Sequence, residues 1–209
     1  MTPIGGRLMW IVCGALWFSG ATAGLAWMAR YANRPGAAAD APALWPAGSA
    51  IQRDLHRPTL IMLVHPRCDC TRASLAELAE LVARTSHRPK TVVVFIRPQG
   101  VDNHWEETAL WRMASGIPDT TVMRDERGSE ASRFKADTSG QTLLYGSDGR
   151  LQFSGGTTIA RGHLGDSDGL FAILKILDGK DPGRTATPVY GCSLFADADT
   201  IRAQELSQR

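Results

Sequence analysis

The chain has 209 residues, 44% of them apolar, and a formal net charge of +2 from 23 basic and 21 acidic side chains. Arg7 and Arg30 are the only charges among the first thirty residues, so the remainder is electrically balanced, without a basic stripe or aromatic platform. That pattern sets nucleic acid aside as a partner, and the length supports one compact domain behind an N-terminal segment.

Residues 8 to 29 carry no charge and are rich in Leu, Met, Trp, Ile, Val, Ala and Gly. About 20 such residues span a bilayer, so the segment predicts one transmembrane helix. Ala21-Thr-Ala23 offers a signal-peptide cleavage site, but the apolar run continues through Met28, longer than the usual signal core of about 7 to 15 residues. An uncleaved anchor over 1–30 is therefore the favoured reading. Orientation stays open, because Arg30 and Arg34 follow the span while Arg7 and the terminal amine precede it. Residues 31–48, rich in Ala and Pro, read as a linker, and 49–209 as the folded domain.

Trp45 to Arg57 predicts at most a short helix or edge strand. Thr59 to His65 is an apolar run bounded by Pro58 and Pro66, the signature of a strand covered on both faces. Beyond Pro66-Arg-Cys-Asp-Cys-Thr71, residues Leu75, Leu78, Leu81 and Val82 recur at helical spacing, with Glu77, Glu80 and Arg84 elsewhere on the wheel. Cys68 thus falls where a strand ends and a helix begins. Unpaired backbone N–H groups and the helix dipole favour a thiolate there. Arg67 and Arg72 push the same way and Asp69 opposes them.

Lys90 to Arg97 is a second β-branched strand, which completes a right-handed βαβ unit. Asn103 and Glu106 fit a capping box that opens a helix through Trp111 to Ser115. Thr120 to Arg124 predicts a third strand, and Ser129 to Ala136 a short helix with Phe134 inward. Gln141 to Tyr145 and Arg150 to Ser154 flank an Asp148-Gly149 turn and form a hairpin. Gly169 to Leu177 has helical spacing, and a short helix is expected at the end of the tail after Cys192.

Three cysteines, Cys68, Cys70 and Cys192, lie beyond the apolar span; Cys13 lies within it as a small hydrophobe. An odd number cannot all pair within one chain, so one thiol is free, metal-bound or available for exchange.

A βαβ unit with a cysteine at the first helix N-terminus, then a hairpin with an Asp-Gly turn and a C-terminal helix, resembles the thioredoxin fold. The motifs His65-Pro-Arg-Cys-Asp-Cys-Thr-Arg-Ala-Ser74, Ser154-Gly-Gly156, Arg161-Gly-His163 and Tyr190-Gly-Cys192 further resemble the bacterial group of RedB-type thioredoxin-like proteins. The resemblance covers roughly residues 45 to 196. It implies an α/β fold, a central mixed sheet flanked by helices. It also implies a single-pass protein of the bacterial inner membrane with its domain in the periplasm. The chain departs from the thioredoxin pattern in two places. Thr71 stands where the second cysteine of a two-residue spacing belongs, and Gln141 stands where a cis-proline precedes the strand facing the site. Peroxidase chemistry is disfavoured, because His65 and Arg67 occupy the positions three residues before the cysteines, where peroxiredoxins carry Thr.

The resemblance and the cysteines together point to thiol-disulfide exchange with protein thiols or disulfides and an unidentified redox partner, without a cofactor. Cys68 is the nucleophile, Cys70 or Cys192 its partner, and His65 a group that orients or accepts a proton. A Cys68–Cys70 bond closes a small, strained ring and makes a comparatively oxidising couple. The alternative uses Cys68, Cys70 and Cys192 or His163 to hold copper or zinc. A third reading leaves the cysteines structural in a non-catalytic interaction domain. Arg161, Asp166 and Asp168 read as solvated.

Overall fold

A computed structural model describes residues 3–37 and 39–195. Two units are present, Met1–Arg34 and Pro35–Arg209. The first is one helix, α1 (Pro3–Ala32), whose described side chains are almost all exposed. Its Gly6–Ala32 stretch is long and apolar enough to cross a membrane, and a signal sequence has the same character.

The second unit is a five-stranded mixed sheet with helices on both faces. Its elements in chain order are β1 (Thr59–Val64), α2 (Asp69–Arg84), β2 (Lys90–Arg97), α3 (Ala109–Ser115) and β3 (Thr120–Glu126). They are followed by α4 (Ser129–Arg133), β4 (Gln141–Tyr145), β5 (Leu151–Gly155) and α5 (Asp168–Leu177). The strand order is β3-β2-β1-β4-β5. β1 and β3 run parallel to β2, while β4 is antiparallel to β1 and to β5. A βαβ unit followed by a β4–β5 hairpin and a closing helix is a thioredoxin-like fold, with α3, β3 and α4 inserted between its halves.

β1 is buried at every position, and apolar from Leu60 to Val64, because both sheet faces are covered. Leu60, Met62 and Val64 point toward Leu75, Leu78 and Leu81 of α2, and toward the apolar residues of α3 and α5. Ile61 and Leu63 point the other way, into a second core with Ala131, Phe134, Tyr145 and Leu194.

Several local expectations change. Asn103 and Glu106 do not cap a helix; α3 starts six residues after Asn103, and its cap is Thr108, whose Oγ1 accepts the Leu110 N–H (3.2 Å). Glu106 is instead buried as an ion-pair partner of Arg124 and Arg97. Trp45 to Arg57 forms neither a helix nor a strand. Leu44 makes one isolated bridge to Arg150, and the Trp45 N–H donates to the Gly149 carbonyl (2.8 Å). The Ala/Pro segment from Pro35 is tied to the rest of the second unit. The Gly36 N–H donates to the Val189 carbonyl (2.8 Å), and the Pro42 carbonyl accepts the Tyr145 hydroxyl (2.9 Å). The helix expected at the end of the tail falls outside the described residues.

Candidate active site

The site begins where β1 runs out. Pro66 and Arg67 turn the chain, and Cys68 takes the N-cap position of α2 in an extended conformation (φ −95°, ψ 117°). Cys68 Sγ therefore lies against the first turn of α2, where the Cys70 N–H turns toward it, at the positive end of the dipole. The turn is fixed from outside. The Ser139 hydroxyl accepts the His65 N–H (2.8 Å), Thr71 Oγ1 donates to the His65 carbonyl (3.1 Å), and Thr108 Oγ1 donates to the Pro66 carbonyl (3.0 Å). Thr71, in the place of a second thioredoxin cysteine, is thus a buried structural hydroxyl.

The opposite wall is the C-terminal strap, residues 185–194. It runs beside β5, where the Ser154 N–H donates to the Thr185 carbonyl (2.9 Å), and then crosses to the segment before β4. There the Ser139 N–H donates to the Cys192 carbonyl and the Leu194 N–H to the Asp137 carbonyl, both at 2.8 Å. The crossing demands glycine at position 191, since a Cβ would stand 1.9 Å from the Ser139 carbonyl oxygen. Gly140, on the facing chain, adopts φ +90°, the left-handed region that favours glycine.

These contacts lay Cys192 on Cys68. The two sulfurs are 3.0 Å apart, and the Cys192 N–H also points at Cys68 Sγ (3.4 Å). Cys68 is buried, whereas Cys70 and Cys192 are each partly exposed. Hydrogen bonds from the Cys192 and then the Cys70 thiol drive the Cys68 pKa far below the ordinary thiol range, against the cost of burial. The reciprocal bond to Cys68 drives Cys192 far up, helped by its bond to Cys70 and by burial. For Cys70, the Cys192 hydrogen bond pulls the pKa down. Its bond to Cys68, its burial and the Cys68 charge together outweigh that pull and leave it raised. Of the three thiols, Cys68 is thus the one whose ionisation the cluster favours.

His65 is buried, and burial holds its pKa below the usual histidine range despite the nearby Cys68 charge. Its Nδ1 accepts the Arg67 N–H (3.2 Å), while Nε2 is buried without a hydrogen-bond partner. A neutral ring used this way carries its proton on Nε2 and has no lone pair left for a thiol proton. The geometry suits orientation of the turn more than proton transfer. The ring packs edge-on against Trp105 (5.5 Å between centroids), over which the Arg67 guanidinium lies at 4.7 Å.

One residue read as solvated, Arg161, and one placed off the apolar face of α2, Glu77, are both drawn into the site's surroundings. Arg161 Nη1 donates to the Gly191 carbonyl (2.6 Å), next to Cys192, and its charge also lowers the Cys70 pKa. Glu77 is buried in α2 rather than facing solvent; its Oε1 accepts the Gly165 N–H (2.7 Å) from the same loop as Arg161. Asp166 and Asp168 do remain exposed, in ion pairs with Arg84 and Arg184. Sequence reasoning also passed over Ser139, whose only signal was its place just before the hairpin strand that pairs with β1.

For a metal, the same sulfurs are poorly spaced. Two thiolates about 2.3 Å from one tetrahedral ion stand about 3.8 Å apart, wider than the 3.0 Å found here. His163 is exposed, with Nδ1 engaged by the Arg161 carbonyl (2.7 Å). Among the described residues, no set of three or more His, Cys, Asp or Glu side chains gathers in metal-holding geometry.

By strand order and connection, then, the second unit has a thioredoxin-like fold, with Cys68 at the N-terminus of α2. The chain matches no protein-family model and no curated protein. Among solved structures it is similar to a hypothetical protein from Sinorhizobium meliloti, with 24% identity and a TM-score of 0.53, covering 79% of this chain and 96% of that one. An uncharacterized conserved protein from Geobacillus kaustophilus gives 18% identity and a TM-score of 0.56, covering 79% of this chain and 94% of that one. Both likenesses concern the fold alone. A secreted Mycobacterium tuberculosis disulfide oxidoreductase, a homologue of E. coli DsbE, overlaps 46% of this chain and 66% of its own at 19% identity. Its TM-score of 0.34 is too low to speak to chemistry.

Proposed function

We propose that the protein is a membrane-tethered thiol-disulfide oxidoreductase whose redox couple is Cys68–Cys192, with Cys68 as the charged, nucleophilic sulfur. The observation that carries this reading is the 3.0 Å separation of the two sulfurs at the N-terminus of α2. A shift of about 1 Å brings them to the bond length of a disulfide, about 2.05 Å. Cys68 and Cys70 are adjacent on the first turn and close only the small ring noted above, so Cys70 is the third thiol rather than half of the stable pair. Cys68 is suited to exchange with Cys192: its pKa is lowered, and the partner sulfur lies within reach.

The substrates in this reading are protein thiols and disulfides, serviced by a redox partner. The N-terminal helix is the anchor in the bacterial inner membrane, with the domain in the periplasm, where disulfides persist. The RedB-type assignment within the thioredoxin-like class rests on the motifs around His65, Ser154, Arg161 and Tyr190.

A redox titration of the full chain in metal-free detergent solution, with mass spectrometry of the cysteine peptides, tests the reading. A reversible Cys68–Cys192 bond is expected. Absence of any reversible couple, with tight Cu(I) or zinc uptake by the reduced chain, overturns it in favour of a metal-binding accessory protein.

A further inference from the structure

The buried position of Cys68 raises a question about the exchange reading. A thiolate attacks a disulfide in line with the S–S bond, from the side opposite the sulfur that leaves, and only where that side is open. Cys68 is 1% exposed. The turn that carries it is tied down by Ser139, which accepts the His65 N–H and pairs with the Thr71 hydroxyl, and by Thr108, which donates to the Pro66 carbonyl. Cys192 covers Cys68 and is itself partly exposed, on a strap held by backbone bonds to Ser139 and by Arg161.

Resting on the exchange reading, we infer that Cys192 is the sulfur that meets the client, and that Cys68 acts only from inside, on Cys192. The geometry reverses the roles that the helix N-terminus alone suggests. In the oxidised protein, a client thiolate attacks Cys192 Sγ. The client–Cys192 bond forms, the Cys68–Cys192 bond breaks, and the electron pair departs on Cys68 Sγ. Cys68 needs no proton on leaving, because the helix terminus and the Cys192 N–H stabilise its thiolate. A second client thiolate then attacks the client sulfur of the mixed disulfide, and Cys192 departs to take up a proton from water. Run backwards, the sequence reduces a client disulfide: Cys192 gives its proton to water and its sulfur attacks the client disulfide, expelling one client thiolate; the Cys68 thiolate then attacks Cys192 Sγ of the mixed disulfide, expels the second client thiolate and re-forms the internal bond.

Cysteamine serves as a stand-in for the client thiol. The full chain is oxidised in detergent, exposed briefly to less than one equivalent of cysteamine, quenched with acid and alkylated, and its peptides are mapped. Wild type and Cys70→Ser are run side by side, so that rearrangement onto Cys70 is seen directly; wild type alone decides the matter if the variant fails to fold. Cysteamine on Cys192 and the alkyl group on Cys68, in at least tenfold excess over the reverse, is the expected result. Cysteamine on Cys68 with a freed Cys192 overturns the inference and leaves the exchange reading intact. Failure of the Cys68–Cys192 bond to form at all removes the reading on which both stand.

Discussion

The two walls of the site are built by opposite means. One wall, Pro66 to Thr71, is local: a buried strand, a proline turn and the first turn of α2 place Cys68 through their own backbone geometry. The other wall, residues 185–194, is irregular chain brought from 124 positions away to meet that cysteine. It is held by a few scattered hydrogen bonds, to Ser154 of β5 and to Gly36, Gly156, Ser139, Asp137 and Arg161. A helix terminus survives most point substitutions, because many bonds define it. A strap pinned at a few places depends on each of them, so the redox pairing is more fragile than the fold.

The largest effect is expected where the strap passes closest to its neighbour. In Gly191→Ala the new Cβ would meet backbone, the Ser139 carbonyl oxygen, at 1.9 Å, so no side chain can yield to it. Overpacking of this kind costs about 1–3 kcal/mol. Denaturant unfolding should show that loss, and redox titration should show the Cys68–Cys192 couple weakened or absent. A variant with wild-type stability and an unchanged couple would mean that the strap is not pinned at this crossing.

Proton linkage probes both walls together, in the reduced chain. Cys68 has a depressed pKa, so its stabilisation is complete above the unfolded thiol value of about 8.5 and is lost as pH falls. His65 is depressed too, and costs stability below its unfolded value of about 6.5. Cys70 and Cys192 are raised. Their contribution is present below about 8.5 and is lost at higher pH, where the unfolded chain releases protons that the folded chain retains. Stability of the reduced chain should therefore rise from acid toward the thiol range and fall beyond it. Unfolding measured across pH checks this, and in Cys192→Ala the rise should shrink, because Cys68 loses the largest of the hydrogen bonds that hold its pKa down. A profile identical to wild type would separate the Cys68 charge from the strap.

Arg161 ties the strap to the loop before α5 by one charged bond to the Gly191 carbonyl. Hydrogen bonds to charged groups are worth about 1.5–3 kcal/mol. With the side chain only half-buried, Arg161→Ala is expected to lower the equilibrium constant for closing the Cys68–Cys192 bond by about three- to tenfold. Arg161→Lys should recover part of it. Equal loss in both variants would place the effect in packing rather than in the bond to the strap.

The same contrast explains what the sequence discloses. β1, α2 and the hairpin are legible because apolar periodicity and turn residues are local signals, and Cys68 inherits its place from them. The strap carries no period. Between Thr185 and Leu194 its backbone pairs through isolated bridges, Ser154 with Ala186 and Thr138 with Ser193, and Cys192 alone marks its importance. The capping pattern at Asn103 and Glu106 misleads for a related reason. Glu106 is claimed by Arg124 and Arg97, tertiary partners that no local window contains. Arg161 looks solvated until the strap supplies the carbonyl it holds.

Glu77 offers the smallest and sharpest probe, because it joins α2 to the loop that carries Arg161 without touching a sulfur. Burial raises its pKa, only partly offset by the Gly165 N–H, and Glu80 and Asp166 add to the rise against Arg84. A raised carboxyl contributes stability below its unfolded value and loses it as pH rises, so at neutral pH the charge is a net cost. One oxygen, Oε2, is moreover buried without a partner. Glu77→Gln keeps an acceptor for Gly165 and removes the charge, so it should stabilise the domain at neutral pH by about 0.5–1.5 kcal/mol and leave acid stability nearly unchanged. Because the loop it anchors stays in place, the Cys68–Cys192 equilibrium should stay within about twofold of wild type, well under the tenfold that 1.4 kcal/mol represents. A larger redox shift would show that the buried carboxylate reaches the thiols through the Arg161 loop.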